Sequence, residues 1–338
     1  MIHSVLHLCV EFALVEYNYY MVNEKIQFEA QYSPSIAILM GTYNGGSYIA
    51  EQLDSICKQT FTNWKIIISD DGSTDNTLDI IRAYQQRIGS DRCMLKHGPS
   101  TGFADNFMGL ARDSDIKADY YFFSDQDDIW LPDKLERAVN CLKAIDANQS
   151  ALYGSSTLLA NEHGIIYDKS HIYLFPKNFR NAIVQCVAGG NSMAFNQALK
   201  DIIEQISPVK VVSHDWWMYQ LITAIDGYFY YDQEPTLIYR QHPQAVVGTN
   251  TSMVSRINRL SMVTKGRFKH WNDINVAALD QIRHLMSPSA IETLDYFKQA
   301  RTAKLFKDRI RLLNISGIFR QSRQGTLSLF IAVIIRMI

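Results

Sequence analysis

Several features that would assign a chain to a class at once are missing from these 338 residues. Charge of one sign is not in excess: 33 Lys/Arg against 34 Asp/Glu leave a net charge of −1, which excludes a general nucleic-acid binder. The five cysteines, Cys9, Cys57, Cys93, Cys141 and Cys186, are odd in number and widely spaced. With no CxxC pair they offer no zinc site, and the pattern suits a reducing compartment. No apolar run reaches the ~20 residues needed to cross a bilayer. The short apolar stretch over residues 5–15 is broken by His7 and Glu11 and has no basic segment before it, so no secretory signal is expected. Neither GxGxxG nor GxxxxGK[ST] occurs, which removes the dinucleotide fingerprint and the P-loop. There is no internal repeat and no low-complexity segment.

What is present is an ordinary globular balance, 47% hydrophobic and 20% charged residues, enough for a substantial core. The length accommodates one large α/β domain plus an appendage, or two domains. Ile36-Ala37-Ile38-Leu39-Met40 is apolar at every position, as in a strand covered on both faces. The loop Gly-Thr-Tyr-Asn-Gly-Gly follows, then Ile49, Leu53, Ile56 and Cys57 at helical spacing. A second strand over residues 65–69 leads into Asp70-Asp71-Gly72-Ser73-Thr74-Asp75, and Leu78, Ile81, Tyr84 and Ile88 mark the next helix. Residues 93–95 read as a strand, 103–111 as a helix and 119–123 as a fourth strand. This alternation predicts an open, mainly parallel α/β sheet with right-handed crossovers. Further on, helices are expected over residues 195–206 and from His214, with strands at 228–231 and 236–241. The expected division is a poorly specified leader (1–33), a catalytic domain (34–250) and a basic, helical C-terminal region (251–338).

The fourth strand runs into Ser124-Asp125-Gln126-Asp127-Asp128. Carboxylates crowded at a strand end repel one another and raise their own pKa values unless a cation neutralises them. Mg²⁺ or Mn²⁺ carrying a diphosphate is the natural partner, since such an ion takes one or two carboxylates plus substrate phosphates. The other reading is an acidic turn capping the helix that begins at Pro132. Ligands of open parallel sheets bind outside the carboxyl ends of the strands. The Gly41–Asn44 loop, Asp70-Asp71 and the acidic cluster all lie at such ends, and that convergence favours a site.

The motifs SIAILMGTYNGGSYIAEQLDSICKQTF, IIISDDGSTDNT, YYFFSDQDDIWLPDKL, VAGGNSMAFN, HDWWMYQL and YRQHPQAVVG follow one another in this order. Over about residues 35–248 the chain thereby resembles the family 2 glycosyltransferases, inverting enzymes of the Rossmann-like GT-A fold that use nucleotide-diphospho-sugars. SDQDDIW with YRQH downstream looks most like the bacterial rhamnosyltransferase branch of cell-surface polysaccharide synthesis. The resemblance implies that Tyr43 stacks on the base and that Asp71 accepts the pyrimidine N3–H. Asp70 is implied to be structural or ribose-facing, Asp125 to serve the ribose or the metal shell, and Asp127 to hold the metal. It further implies Asp215 as general base and His242 as a metal or diphosphate contact. The implied cofactor is a divalent cation, Mg²⁺ or Mn²⁺. The implied partners are a dTDP- or UDP-sugar donor and a saccharide or lipid-linked acceptor. Relatives often read His-Gly-Asn-Asn where this chain has His242-Pro243-Gln244-Ala245; Pro243 is stiff and lacks an N–H donor, which sets the loop after His242 apart.

Several positions carry two readings. Asp215 also qualifies as an N-cap. His214 is expected as its neighbour or an acceptor contact. Gly190 and Asn191 either admit a sugar close to the backbone or form an ordinary turn. Asn106 is a donor-site contact or a helix-surface amide. Trp216 and Trp217 offer the acceptor a stacking platform, with one of the two in the core. Residues 301–338 hold eight Lys/Arg and one acid, Asp308, interleaved with Leu305, Phe306, Ile310, Leu312, Leu313, Ile318 and Phe319. They predict peripheral attachment at the cytoplasmic face of the membrane, or else a packed helical segment. A sugar nucleotidyltransferase is opposed by the lack of a basic residue near the first loop. A non-catalytic nucleotide- or carbohydrate-binding relative is opposed by Asp71, Asp125, Asp127 and Asp215 being present together.

Overall fold

Successive residues of β1 (Ile36–Thr42) enter different cores in the computed structural model, which describes residues 33–242 and 266–338. Ile36, Ile38 and Met40 pack on one face with Ile49, Leu53 and Ile56 of α1 (Ile49–Cys57), while Ala37 and Leu39 pack on the other with Phe107 and Met108. Side chains alternate across a strand, so a run apolar at every position requires a layer on both faces. β2 (Trp64–Asp70), α2 (Thr77–Ile88), β3 (Cys93–His97), α3 (Phe103–Arg112) and β4 (Tyr120–Ser124) continue the alternation. β5 (Ile129–Trp130), α4 (Lys134–Leu142), β6 (Ala151–Ser155), β7 (Leu158–Ala160), β8 (Ile166–Lys169) and α5 (Phe179–Ala182) follow. Next come a 3₁₀ turn (Gly190–Ser192), β9 (Ala194–Asn196), α6 (Gln197–Gln205), α7 (His214–Ala224), β10 (Tyr228–Asp232) and β11 (Leu237–Arg240).

The larger sheet has the order β10-β6-β9-β4-β1-β2-β3 and the smaller one β5-β11-β7-β8. β1 pairs in parallel with both β2 and β4, and β9 runs antiparallel between β4 and β6. Register decides where chemistry can gather. Thr42 lies opposite Asp70, Met40 opposite Ser124, and Asp70 opposite His97, so three loops leave the sheet at one edge. In the smaller sheet β11 lies beside β5, just after the acidic cluster, and brings Arg240 and His242 back to it.

The open α/β sheet expected from the sequence is the one observed, with two corrections of detail. The expected helix over residues 195–206 gives its first residues to β9. Three residues pinned between two strands show no period of their own, so the apolar spacing of the helix after them dominates the pattern. The C-terminal helices are α8 (Arg267–Gln281), α9 (Pro288–Thr302), α10 (Phe306–Ser316) and α11 (Arg323–Ile334). Among the residues expected to face a membrane, Leu312, Leu313 and Ile318 instead join Leu279, Leu294 and Phe297 in the core on the α3 face. Arg309 is buried there too, donating to the carbonyls of Ala303, Lys304 and Ile334. No helix among the described residues is long and apolar enough to cross a membrane. The expected leader and the boundary near residue 250 fall on residues 1–32 and 243–265, outside the described ones.

Asn196 joins β9 to α6 and carries an unusual share of the local hydrogen bonding. Its Oδ1 accepts from the N–H of Ala151 (3.0 Å) and of Leu199 (3.1 Å), capping α6, and its Nδ2 donates to Gln149 O (2.8 Å). Asn196→Ala strands these buried groups and is expected to cost about 1–3 kcal/mol in urea unfolding. An unchanged midpoint would mean that the edge between β9 and α6 does not depend on this amide.

Candidate active site

The first two loops are laced together by side chains that read backbone. The N–H groups of Asn44, Gly45 and Gly46 donate to Ser73 Oγ, Thr77 Oγ1 and Asp75 Oδ2, each at 2.8–2.9 Å, and Thr74 N–H donates to Asn44 Oδ1. Asn44 takes φ +48°, a left-handed conformation that Asn tolerates. Asp70 is buried inside this junction, accepting from Thr42 Oγ1, Ser73 Oγ and the N–H groups of Gly72 and Ser73. Its place is structural. Asp71 points the other way and holds the start of α3, accepting from Ser100 N–H (2.6 Å) and Gly102 N–H (3.0 Å). Each carboxylate oxygen has two lone pairs, so these bonds leave Asp71 capacity for a further donor. Tyr43 has its ring 58% exposed, while its backbone N–H and C=O are both held by the Gln126 amide at 2.9 Å. That amide ties the first loop to the acidic one.

Ligand atoms of Asp125, Asp127 and Asp128 lie within 4.8 Å of one another. They are not equivalent. Asp128 is fully buried and both its oxygens are in use, Oδ2 by Asn191 Nδ2 (2.6 Å) and Oδ1 by Arg240 N–H (3.3 Å). Asp127 Oδ2 stands 2.8 Å from His242 Nε2, and the His242 ring lies on Tyr48, 4.7 Å between centroids. Burial, and then the charges of Asp127 and Asp215, push the Asp125 carboxyl up to about 8. Asp125 and Asp127 therefore fit a hard divalent ion, and His242 fits beside them.

The first turn of α7 comes within electrostatic reach of this cluster, through Asp215 on Asp125. Ser213 occupies the N-cap without a side-chain bond, so Asp215 is not the cap. Its Oδ1 accepts from Trp216 N–H at 2.7 Å, and no partner of Oδ2 is found among the described residues. His214 is buried between Phe107 (stacked, 4.1 Å), Phe123 and Phe103. A Cβ at Gly190 would meet His214 Nε2 at 2.0 Å, so the turn approaches the imidazole only because residue 190 is glycine. Two expectations need correcting. Trp216 is no stacking platform: it is buried edge-on against Trp271, its indole N–H donating to Ala182 O at 2.7 Å, and Trp217 is also core. Asn106 is no surface amide: it is buried beneath the Asp71 loop, donating to Ser69 O at 2.9 Å.

The family described as glycosyl transferase family 2 matches residues 37–207, just over half of the chain and all three loops of this site. The chain belongs to glycosyl transferase family 2. It is 36% identical over 230 residues to the dTDP-rhamnosyl transferase RfbG of Shigella flexneri, a stretch covering 66% of this chain and 78% of that one. It is 28% identical over 236 residues to an uncharacterized glycosyltransferase of Rickettsia prowazekii (strain Madrid E), covering 66% and 68%. Among solved structures it is similar to the mannosyltransferase PcManGT from Pyrobaculum calidifontis in complex with GDP-Man and Mn2+, with TM-score 0.48 and 19% identity over 91% of this chain and 88% of that one.

In this glycosyltransferase the sequence reading missed Gln126, Lys134 and Arg240. Gln126 was hidden between acidic neighbours. Arg240 stood in a quoted motif, but nothing in the sequence told that its guanidinium would donate to Asp127 O (3.0 Å) and Glu162 O (2.8 Å) and pair with Glu51. Lys134 carries a signal in retrospect, a lysine at an apolar helical position next to Leu135, Ala138 and Val139.

Burial brings the His214 imidazole down to about 4, so it stays neutral near pH 7. Between the unfolded value of 6.5 and about 4 the unfolded chain takes up a proton at this residue and the folded chain does not. Stability at this site therefore rises with pH across that window and falls as acid is added. His214→Asn removes the titration, so the difference in urea midpoint between wild type and variant should shrink steadily from pH 6.5 to 4. A difference independent of pH would mean that His214 is not a buried neutral ring.

Proposed function

We propose that this glycosyltransferase moves a sugar, rhamnose in the first instance, from a dTDP- or UDP-linked donor to a saccharide or lipid-linked saccharide, with inversion at the anomeric carbon. The observation that carries the reading is the convergence at one sheet edge of an exposed aromatic ring (Tyr43), a carboxylate beside it (Asp71), an acidic pair (Asp125, Asp127) and a facing carboxylate (Asp215) whose charge is felt by Asp125. The name of the Shigella relative supports a dTDP-rhamnose donor.

In this reading the base stacks on Tyr43 and its N3–H donates to Asp71. Asp125 and Asp127, with His242 alongside, would hold a Mg²⁺ or Mn²⁺ ion, which when bound neutralises charge growing on the departing diphosphate. Asp215 takes the proton of the acceptor hydroxyl as the oxygen–anomeric carbon bond forms and the anomeric carbon–phosphate oxygen bond breaks. General-base help of this kind is worth roughly 10²–10⁴-fold. One base and no protein nucleophile means one displacement, hence inversion. Gly190 and Asn191 line the side from which the sugar approaches, and the buried, neutral His214 supports that turn from beneath.

Asp215→Asn should keep dTDP or UDP binding and lose at least ~10²-fold in turnover, whereas Asp127→Ala should lose the Mn²⁺-dependent part of nucleotide affinity. NMR of the product should give the anomer opposite to the donor's. Retention, or an Asp215→Asn variant of wild-type rate, would overturn the mechanism.

The enzyme is further proposed to work at the inner face of the cytoplasmic membrane, on a smaller surface than the sequence alone suggested. Leu327, Ile331 and Ile335 are exposed at four-residue spacing along and just past α11. Arg336 donates to Lys304 O (3.2 Å) and Arg309 to Ile334 O (2.6 Å), which brings the end of α11 against the exposed Leu305 and Phe306. The exposed cations Lys304, Lys307 and Arg311 border the patch, and each adds roughly 1 kcal/mol near an anionic leaflet. Removing the whole C-terminal region would strip core residues, so substitutions are the cleaner test. Phe306→Ser with Ile331→Ser should abolish sedimentation with phosphatidylglycerol vesicles, and salt should weaken wild-type binding. Wild-type protein that ignores such vesicles at low salt would rule the surface out.

A further inference from the structure

Lys134 is one of the largest side chains fully withdrawn from solvent, and burial disfavours an ammonium so placed unless nearby negative charge compensates it. Its Nζ donates to Asn191 O at 2.8 Å and lies 4.7 Å from the centroid of the Trp130 ring. The carboxylates of Asp128 and Asp125 act on it electrostatically without touching it. Asn191 is the intermediary: its carbonyl accepts from Lys134 while its amide donates to Asp128 Oδ2 at 2.6 Å. Asp128 Oδ1 in turn accepts from the N–H of Arg240, whose guanidinium donates to Asp127 O at 3.0 Å. One chain of contacts thus runs from α4 through the 3₁₀ turn and the acidic loop to β11.

We propose that Lys134 and Asp128 are paired positioning residues: through Asn191 and Arg240 they clamp the acidic loop between the Gly190–Ser192 turn and β11, and so set the spacing of Asp125 and Asp127 toward the cation and diphosphate. Three features separate this from ordinary core packing. Both oxygens of Asp128 face protein donors, so this member of the cluster is spent on holding the loop. Lys134 reaches a backbone carbonyl of the sugar-side turn and not a carboxylate, so it fixes a position and not only a charge. Asp71 lies outside this chain of contacts, and Tyr43 meets the acidic loop only through its backbone at the Gln126 amide, which leaves its ring free of the clamp.

The inference rests on the nucleotide–metal reading above, so its test carries one arm that does not. Lys134→Met keeps the volume and removes the ammonium; Asp128→Asn keeps the shape and serves if the methionine variant folds poorly. Mn²⁺-free binding of dTDP and UDP should match wild type, while the gain in affinity on adding Mn²⁺ should shrink by about 10-fold or more, the usual effect of removing groups that orient metal ligands. The double variant should be no worse than the weaker single one, because the two act through one connection. In the second arm, amide hydrogen exchange in the absence of any ligand should speed up over residues 125–130 and 189–193 and at the Arg240 amide, with the amides of Ser100 and Gly102 that hold Asp71 unchanged. Loss of Mn²⁺-free and Mn²⁺-dependent binding in equal measure, or exchange unchanged at both segments, would overturn the proposal. Wild-type protein showing no Mn²⁺-dependent nucleotide binding would overturn the reading of the site, and the exchange arm would still decide whether the clamp exists.

Discussion

Carboxylates of Asp125, Asp127 and Asp128 are gathered within 4.8 Å at the end of a buried strand, and their mutual repulsion has to be contained before any substrate arrives. The fold contains it with directed donors and not with bulk solvent. Asp128 receives the Asn191 amide and the Arg240 N–H, Asp127 is paired with His242, and Lys134, which burial brings down to about 7, lies near enough for its charge to act on Asp128 and Asp125. Burial and the neighbouring carboxylates still drive two carboxyls up, that of Asp125 to about 8 and that of Asp128 well above the usual carboxylate range. A strand end of this kind stores unfavourable charge that a bound cation would relieve, which is the physical basis of the proposed site.

Most of these partners come from far along the chain. Asn191 follows α5, Arg240 ends the strand that pairs with β5 and His242 lies just past it, while Lys134 opens the helix directly after the acidic loop. Long-range delivery depends on the antiparallel return of β9 between β4 and β6, which lays the 190–192 turn beside the strand end. Antiparallel insertion into a mainly parallel sheet therefore has a local effect: it brings the 190–192 turn to a strand end that a plain crossover helix would have left bare.

The two halves of the site differ in how they are held. Around the first loop, backbone is read by short side chains, and Tyr43 keeps an exposed ring on a backbone fixed by Gln126. Around the 190 turn, glycine allows the backbone to press on a buried imidazole, and α7 brings Asp215 up beside it. Rigid support under an exposed ring, with a free carboxylate oxygen opposite, is what positional catalysis asks of a scaffold. The C-terminal helices add to the core beneath α3 and keep one apolar stripe outside.

Much of this was legible in the residues themselves. Apolar runs such as Ile36 to Met40 can only be doubly covered strands, because alternation would otherwise expose half of them. Strand–helix alternation then sends loops such as Asp70-Asp71 and Ser124–Asp128 to one edge, and motif order carried the family. What the sequence left open is which member of an acidic run faces ligand. Asp125, Asp127 and Asp128 are chemically alike and adjacent, and only the arrival of Asn191 and Arg240 makes Asp128 a structural residue. Helical period likewise placed Leu312 and Leu313 on an apolar face without saying whether protein or lipid covers it, and packing against Phe297 answered that. Trp216 was lost for the same reason, since burial depends on what lands on a helix. Local pattern determines secondary structure and loop position; partners many residues away determine which of several identical groups is free to react.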